Sequence, residues 1–211
     1  MSQRHETKSE QRRAAMSRRS FLRATGLAAA GTAVVEEAMA ALAPSSVQAA
    51  SVVAGPGEVS MTLDINGSAR AVAVEPRMTL ADVLRGPLGL TGTKIGCDRG
   101  ACSACTVWID GAPVASCMML AVDVGARKVT TIEGLARGAV LHPVQSAFIA
   151  HDAVQCGFCT PGLVMSCAAL LAHNPQPSLD DVKNATSGHL CRCGTYPHVF
   201  AATLAAANGK S

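Results

Sequence analysis

Nine cysteines lie between positions 97 and 193, and none lies in the first 96 residues. Thiols concentrated this way end up in disulfides or around metal, and their spacing helps to separate the two. The first group is Cys97, Cys102, Cys105 and Cys117, a C-x4-C-x2-C pattern followed by a fourth cysteine after eleven residues. The second is Cys156-x2-Cys159, then a long interval, then Cys191-x-Cys193. Neighbours in a C-x-C pair make poor disulfide partners for each other, yet both can serve one polynuclear centre. The ninth, Cys167, sits among Val164, Ala168 and Leu171 and reads as a small buried apolar residue.

The first spacing is the plant-type pattern for ligating a 2Fe–2S cluster. Each ferric ion takes four soft sulfur donors, of which bridging sulfides supply two, so four thiolates are required. Gly96 and Gly100 relax the backbone where the loop must close tightly and turn its N–H groups towards sulfur. In the second group the thiols would come from the starts of helices, where the helix dipole favours negative charge. Two other readings of the residues remain open at this point. One is a disulfide framework of four bridges and a free thiol. The other is zinc at Cys156, Cys159, Cys191 and Cys193, although zinc sites usually space both pairs by two to four residues.

Only 3% of the chain is aromatic, so an aromatic-rich nucleic-acid platform is excluded, and 16% charged with 49% hydrophobic residues argues against disorder. The net charge of +3 is unevenly placed. Residues 1–23 hold seven Lys/Arg against two acids, and the chain beyond residue 50 holds eleven of each. Within the basic leader, Ser17-Arg18-Arg19-Ser20-Phe21-Leu22-Arg23 precedes an uncharged Ala-rich run over 24–35 and small residues at 47–50. The order resembles a twin-arginine export signal, a receptor-read address. The uncharged run is far short of the roughly 20 residues that span a bilayer, so no stable membrane span is expected. Glu36 and Glu37 interrupt the neutral region ahead of an expected cleavage near Ala49. Residues 1–49 are read as the signal region of a periplasmic protein, and 50–57 as a linker within an Ala/Pro/Ser/Gly-rich joint over 43–57.

Beyond the linker the expected class is α+β. Over 58–134 strands dominate: 59–65 and 69–74 flank the hairpin turn Asn66-Gly67, and 106–109 and 114–115 flank Asp110-Gly111. Thr79 is placed to cap a short helix carrying Leu80, Val83 and Leu84, and 128–132 reads as a last strand. Over 135–211 the pattern is helical. Pro143, Pro161, Ser178 and Pro197 open four helices, running to about 151, 172, 186 and 207, as in a small bundle. No nucleophile–base pair and no Gly-rich phosphate loop after a strand is evident, so no catalytic residue is expected. His142, His151, His173, His189 and His198 lack metal spacing and read as capping or surface residues.

Three strings carry a family resemblance: residues 96–107, Gly-Cys-Asp-Arg-Gly-Ala-Cys-Ser-Ala-Cys-Thr-Val; 155–162, Gln-Cys-Gly-Phe-Cys-Thr-Pro-Gly; and 191–193, Cys-Arg-Cys. With Thr131-Ile132-Glu133-Gly134-Leu135 and His142-Pro143-Val144-Gln145 between them, the chain resembles the small iron–sulfur subunits of molybdenum hydroxylases, the xanthine dehydrogenase and aldehyde oxidoreductase family. With its export signal, the chain looks most like the periplasmic aldehyde oxidoreductases. The resemblance implies a β-grasp ferredoxin-like domain followed by a four-helix bundle, each with one 2Fe–2S cluster. It further implies a large molybdopterin-binding partner subunit and an electron acceptor that is an FAD-bearing subunit or a cytochrome, with no nucleic acid involved. On the same resemblance Gln155 would hydrogen-bond the pterin, and Cys193 would both ligate iron and touch the pterin amino group. Arg99 would face solvent or a partner chain. Two positions depart from the pattern. Ser103 stands where the family usually has glycine, and Gly194-Thr195-Tyr196 stands where it typically reads Thr-Gly-Tyr. A free-standing two-cluster carrier is the rival reading.

Overall fold

The computed structural model describes residues 55–209. The leader and its expected export signal, linker residues 50–54 and the last two residues lie outside the described residues. A five-stranded mixed sheet comes first, in the order β2-β1-β5-β3-β4. Strands β1 (Val59–Ile65) and β2 (Ser68–Val74) pair antiparallel across Asn66-Gly67, both at positive φ as a primed hairpin turn requires. Asp110-Gly111 turns β3 (Thr106–Ile109) into β4 (Ala112–Ala115) in the same way. Strand β5 (Lys128–Thr130) lies between the hairpins, parallel to β1 and antiparallel to β3.

Alternation puts Leu63, Ile65, Val74, Val107, Ile109 and Val129 on one buried face, where Leu80, Val83 and Leu84 of α1 (Leu80–Arg85) cover them. Thr79 and Asp82 form a reciprocal capping box that starts this helix. The last strand is shorter than its apolar run suggests. The Asn66 side chain takes over its pairing, accepting from the Thr131 N–H at 2.9 Å and donating to the Thr131 hydroxyl at 3.0 Å. A 3₁₀ turn over Ile132–Gly134 follows. Gly134 is required there, because a Cβ would sit 2.1 Å from the Asn66 side-chain oxygen.

The C-terminal half holds α2 (Pro143–Ala150), α3 (Thr160–His173), α4 (Leu179–Thr186) and α5 (Tyr196–Ala207). His142 and Ser178 cap α2 and α4, each donating its own N–H in return to the N3 side chain, Gln145 or Asp181. Helix α3 is the buried spine: Leu163, Val164, Met165, Cys167 and Ala168 meet Phe148 of α2 and Val199 and Ala202 of α5. Burial pushes the Cys167 thiol up to about 11, consistent with a packing residue. The two halves share surface. The Trp108 indole on β3 donates to the Met165 carbonyl on α3 at 2.9 Å, and its ring packs against the helical core. The described part is therefore an α+β chain of one mixed sheet and five helices. None of these helices is long and apolar enough to cross a membrane.

Candidate metal centres

The first four cysteines gather in one loop. Residues 97–105 run between α1 and β3, and the chain returns through β4 to bring Cys117 beside them. Asp98, Gly100 and Ser103 all take positive φ, so the loop coils inward rather than extending. Its N–H groups consequently face sulfur: Ala101 donates to Cys97 Sγ at 3.2 Å and Gly100 to Cys117 Sγ at 3.4 Å. Ser103, at φ 56°, accepts the left-handed strain that a glycine would avoid. Its carbonyl holds the turn by accepting the Thr106 N–H at 3.2 Å and hydroxyl at 2.7 Å. Arg99 is exposed as expected, but its guanidinium folds back onto the Cys97 carbonyl at 3.1 Å.

The second four come from two places. Cys156 and Cys159 precede α3, with Cys159 as its N-cap residue, and Cys191 and Cys193 lie in the turn before α5. Gly157 and Gly194 at positive φ bend the two turns towards each other. Tyr196 fixes the second turn: its hydroxyl accepts from the Cys191 N–H and donates to the His189 carbonyl, both at 2.8 Å. Gln155 is exposed beside Cys156, which is itself the most open of the thiols.

Within each group the thiols meet in pairs. Cys97 touches Cys102 and Cys105 touches Cys117; Cys156 touches Cys193 and Cys159 touches Cys191. All nine cysteines are free thiols, and among the described residues no three His, Cys, Asp or Glu side chains converge on one point able to hold a single ion. Four thiols in each group, meeting two and two, fit two iron ions joined by sulfides, with two protein thiolates on each.

The environments of the thiols differ within each group. The Arg99 N–H, aided by contact with the Cys102 thiol and the Ala101 N–H, holds Cys97 down to about 7. Burial pushes Cys117 up to about 11 and Cys159 up to about 12. Cys156 is lowered chiefly by the Phe158 N–H, whereas Cys193 is raised because its partner thiol and partial burial outweigh the Cys156 N–H. In the second group each pair thus joins one thiol that ionises readily with one that a bound cation must help to deprotonate.

The histidines divide differently from expectation. His142 caps α2 and His198 bonds the His151 carbonyl at 3.0 Å, but His189 is neither capping nor on the surface. It is 4% exposed, its Nε2 lies 2.7 Å from the Ser166 hydroxyl on α3, and burial pushes it down to about 4. No pattern in the sequence marks this serine–imidazole contact. Both residues are buried, and the contact packs the turn before Cys191 onto α3. A cavity of about 710 Å³ is lined by Trp108, Leu135, Val140 and Leu171 and by no cysteine.

The two halves also match known families separately. Residues 63–130 match the 2Fe-2S iron-sulfur cluster binding domain, and residues 131–204 match the [2Fe-2S] binding domain. The nicotine 6-hydroxylase small subunit of Paenarthrobacter nicotinovorans is 49% identical over 69% of this chain and 88% of its own length. The aldehyde oxidoreductase iron-sulfur-binding subunit PaoA of Escherichia coli K12 is 40% identical over 89% of this chain and 86% of its own. Among solved structures, quinoline 2-oxidoreductase from Pseudomonas putida 86 superposes with a TM-score of 0.67 at 46% identity, covering 73% of this chain and 99% of that one. The aldehyde oxidoreductase of Desulfovibrio gigas gives 0.68 at 39% identity, covering 72% of this chain and 18% of the other. With two iron–sulfur domains in this order and relatives matched over most of their length, the chain belongs to the family of small iron–sulfur subunits of molybdenum hydroxylases.

Proposed function

We propose that this chain is the electron-relay subunit of an exported molybdenum hydroxylase that oxidises aldehydes. The observation that carries the reading is the gathering of eight thiols into two sets of four, one set within each matched 2Fe–2S domain. In this reading Cys97, Cys102, Cys105 and Cys117 hold one 2Fe–2S cluster, and Cys156, Cys159, Cys191 and Cys193 hold another. Such clusters, when bound, accept and release one electron at a time. The chain's own residues do the rest. Inward-turned N–H groups place positive dipole on sulfur, and apolar packing by Ala81 and Ile95 on Cys105 and Cys117, and by Leu163 in the cluster that holds Cys159, fixes the geometry of the loops. A ferredoxin-like β-grasp domain over 58–134 and a four-helix bundle over 135–211 are the structural units that go with these two sites.

The open edge at Cys156, Cys193 and Gln155 faces the molybdopterin of a large partner subunit in this reading. Gln155 and Cys193 are its contacts with the pterin, and the first cluster passes electrons to a flavin subunit or a cytochrome. Support for the large partner comes from the Megalodesulfovibrio gigas aldehyde oxidoreductase, 42% identical to 72% of this chain, which fills only 17% of that protein. Support for aldehydes comes from PaoA, whose name is that of an aldehyde oxidoreductase subunit. The reading of export rests on the string Ser17-Arg18-Arg19-Ser20-Phe21-Leu22-Arg23 alone.

The test is to isolate the tagged chain from its native host. A co-purifying molybdopterin subunit, and clusters that are reduced on adding aldehyde, are expected. A monodisperse monomer that never brings a molybdenum protein with it would overturn the reading in favour of a free-standing carrier.

A further inference from the structure

We propose that the Thr195 hydroxyl sets the reduction potential of the second centre by donating a hydrogen bond to Cys191 Sγ. The inference rests on the two-cluster reading above and adds to it a residue outside the ligand set. Thr195 Oγ1 lies 3.3 Å from Cys191 Sγ. An iron-bound thiolate can only accept, so in the loaded site the hydroxyl is the donor.

The local sequence leaves the hydroxyl free for this. Thr195 is the N-cap residue of α5, where a threonine oxygen ordinarily accepts an N–H from the first turn. Here it makes no such bond, and the second helical residue is Pro197, which has no N–H to offer. Gly194, at φ 73°, reverses the chain so that residue 195 comes back over Cys191, while the Gly194 N–H bonds the Cys191 carbonyl at 3.2 Å. The Tyr196 phenol fixes Cys191 from its backbone N–H. Placing glycine before threonine in Gly194-Thr195 is therefore what brings a hydroxyl to this sulfur.

The first centre differs. Its sulfurs receive backbone N–H groups from Gly100 and Ala101, and among the described residues Thr195 provides the one side-chain hydroxyl bonded to a thiol of either group. A hydrogen bond to sulfur stabilises the electron-richer reduced cluster and so raises its potential. The redox step is the gain and loss of one electron at the second centre, with no bond made or broken. The hydroxyl makes that centre a better acceptor from the partner subunit and a less forcing donor to the first centre.

The experiment is a spectroscopically monitored redox titration of the full chain in its complex. Thr195→Val keeps the shape without the hydroxyl, and Thr195→Ser keeps the hydroxyl. The valine variant is expected to shift one midpoint to more negative potential and leave the other in place, and the serine variant to retain both. Unchanged midpoints in the valine variant, or an equal shift of both, overturn the proposal. A measurement on unmodified protein guards against a valine variant that fails to hold iron. Reduced wild type should show at the second centre a fast-exchanging proton coupling that disappears in deuterated solvent, and its absence also overturns the proposal. Failure of the two-cluster reading looks different, because wild type would then lack two paramagnetic signals before any substitution is made.

Discussion

The two thiol groups reach the same donor set by opposite routes. The first is a local construction: one loop coils through three positive-φ residues and closes on a single return strand. The second is assembled from turns 32 residues apart between Cys159 and Cys191, and it exists only while α3 and α5 are packed. It also depends on the first. The Leu190 N–H, one residue before Cys191, bonds the Cys102 carbonyl at 3.2 Å. Gly162, in the first turn of α3, lies against the first loop so closely that a Cβ would sit 2.3 Å from the Ser103 carbonyl oxygen. The first loop thus closes within its own segment, whereas the second site is assembled across the fold and also rests on that loop.

The largest test of this asymmetry uses ligand removal. Cys191→Ser should abolish one of two paramagnetic signals and about half of the iron, leaving the other signal unaltered. Cys105→Ser should abolish the first signal and also broaden the second, because the loop that supports Leu190 and α3 is loosened. Equal and independent losses would break the comparison.

Gly162→Ala comes next. The obstructing atoms are backbone, and the Ser103 carbonyl is already tied to Thr106, so α3 must move. Overpacking of this kind costs about 1–3 kcal/mol, which denaturant unfolding should register. The second signal should change shape more than the first. A variant with wild-type stability and both signals unchanged would show that the contact carries no strain.

The smallest effect is confined to the helical side. Burial lowers the His142 pKa below its ordinary 6.5, and its Nδ1 accepts the Val144 N–H at 3.3 Å to cap α2. Because the folded value lies below the unfolded one, the unfolded chain binds the proton more tightly. This contribution is fully present above the unfolded pKa and is lost as pH falls through the folded one. Unfolding midpoints compared at about pH 8 and about pH 5 should fall less in His142→Asn than in wild type. An identical fall would remove His142 from the account.

Much of this was legible in the sequence because it depends on near neighbours. Hairpins at Asn66-Gly67 and Asp110-Gly111, and the caps at Thr79 and Ser178, need only a few adjacent residues to specify them. The cysteine spacings grouped the thiols but not their pairing, which places Cys156 with Cys193 and Cys159 with Cys191 across the fold. Tertiary contacts also hid the shortened β5, where the side chain of Asn66 substitutes for a strand from 65 residues away. The buried contact of His189 with Ser166 was hidden for the same reason, since neither position is distinctive until α3 lies beside the second turn. The swapped Gly194-Thr195 was visible as an oddity, but its direction towards sulfur was not.

The indole of Trp108 on the Met165 carbonyl, together with the seat of Gly162 on Ser103, has one more consequence. The boundary between the two matched families at residues 130 and 131 is a boundary in ancestry but not in mechanics. A hinge there would make the gap between the centres fluctuate and average electron transfer over many separations. Pinned at these points, the gap is a fixed length built into the backbone, and the rate across it becomes a property of the fold.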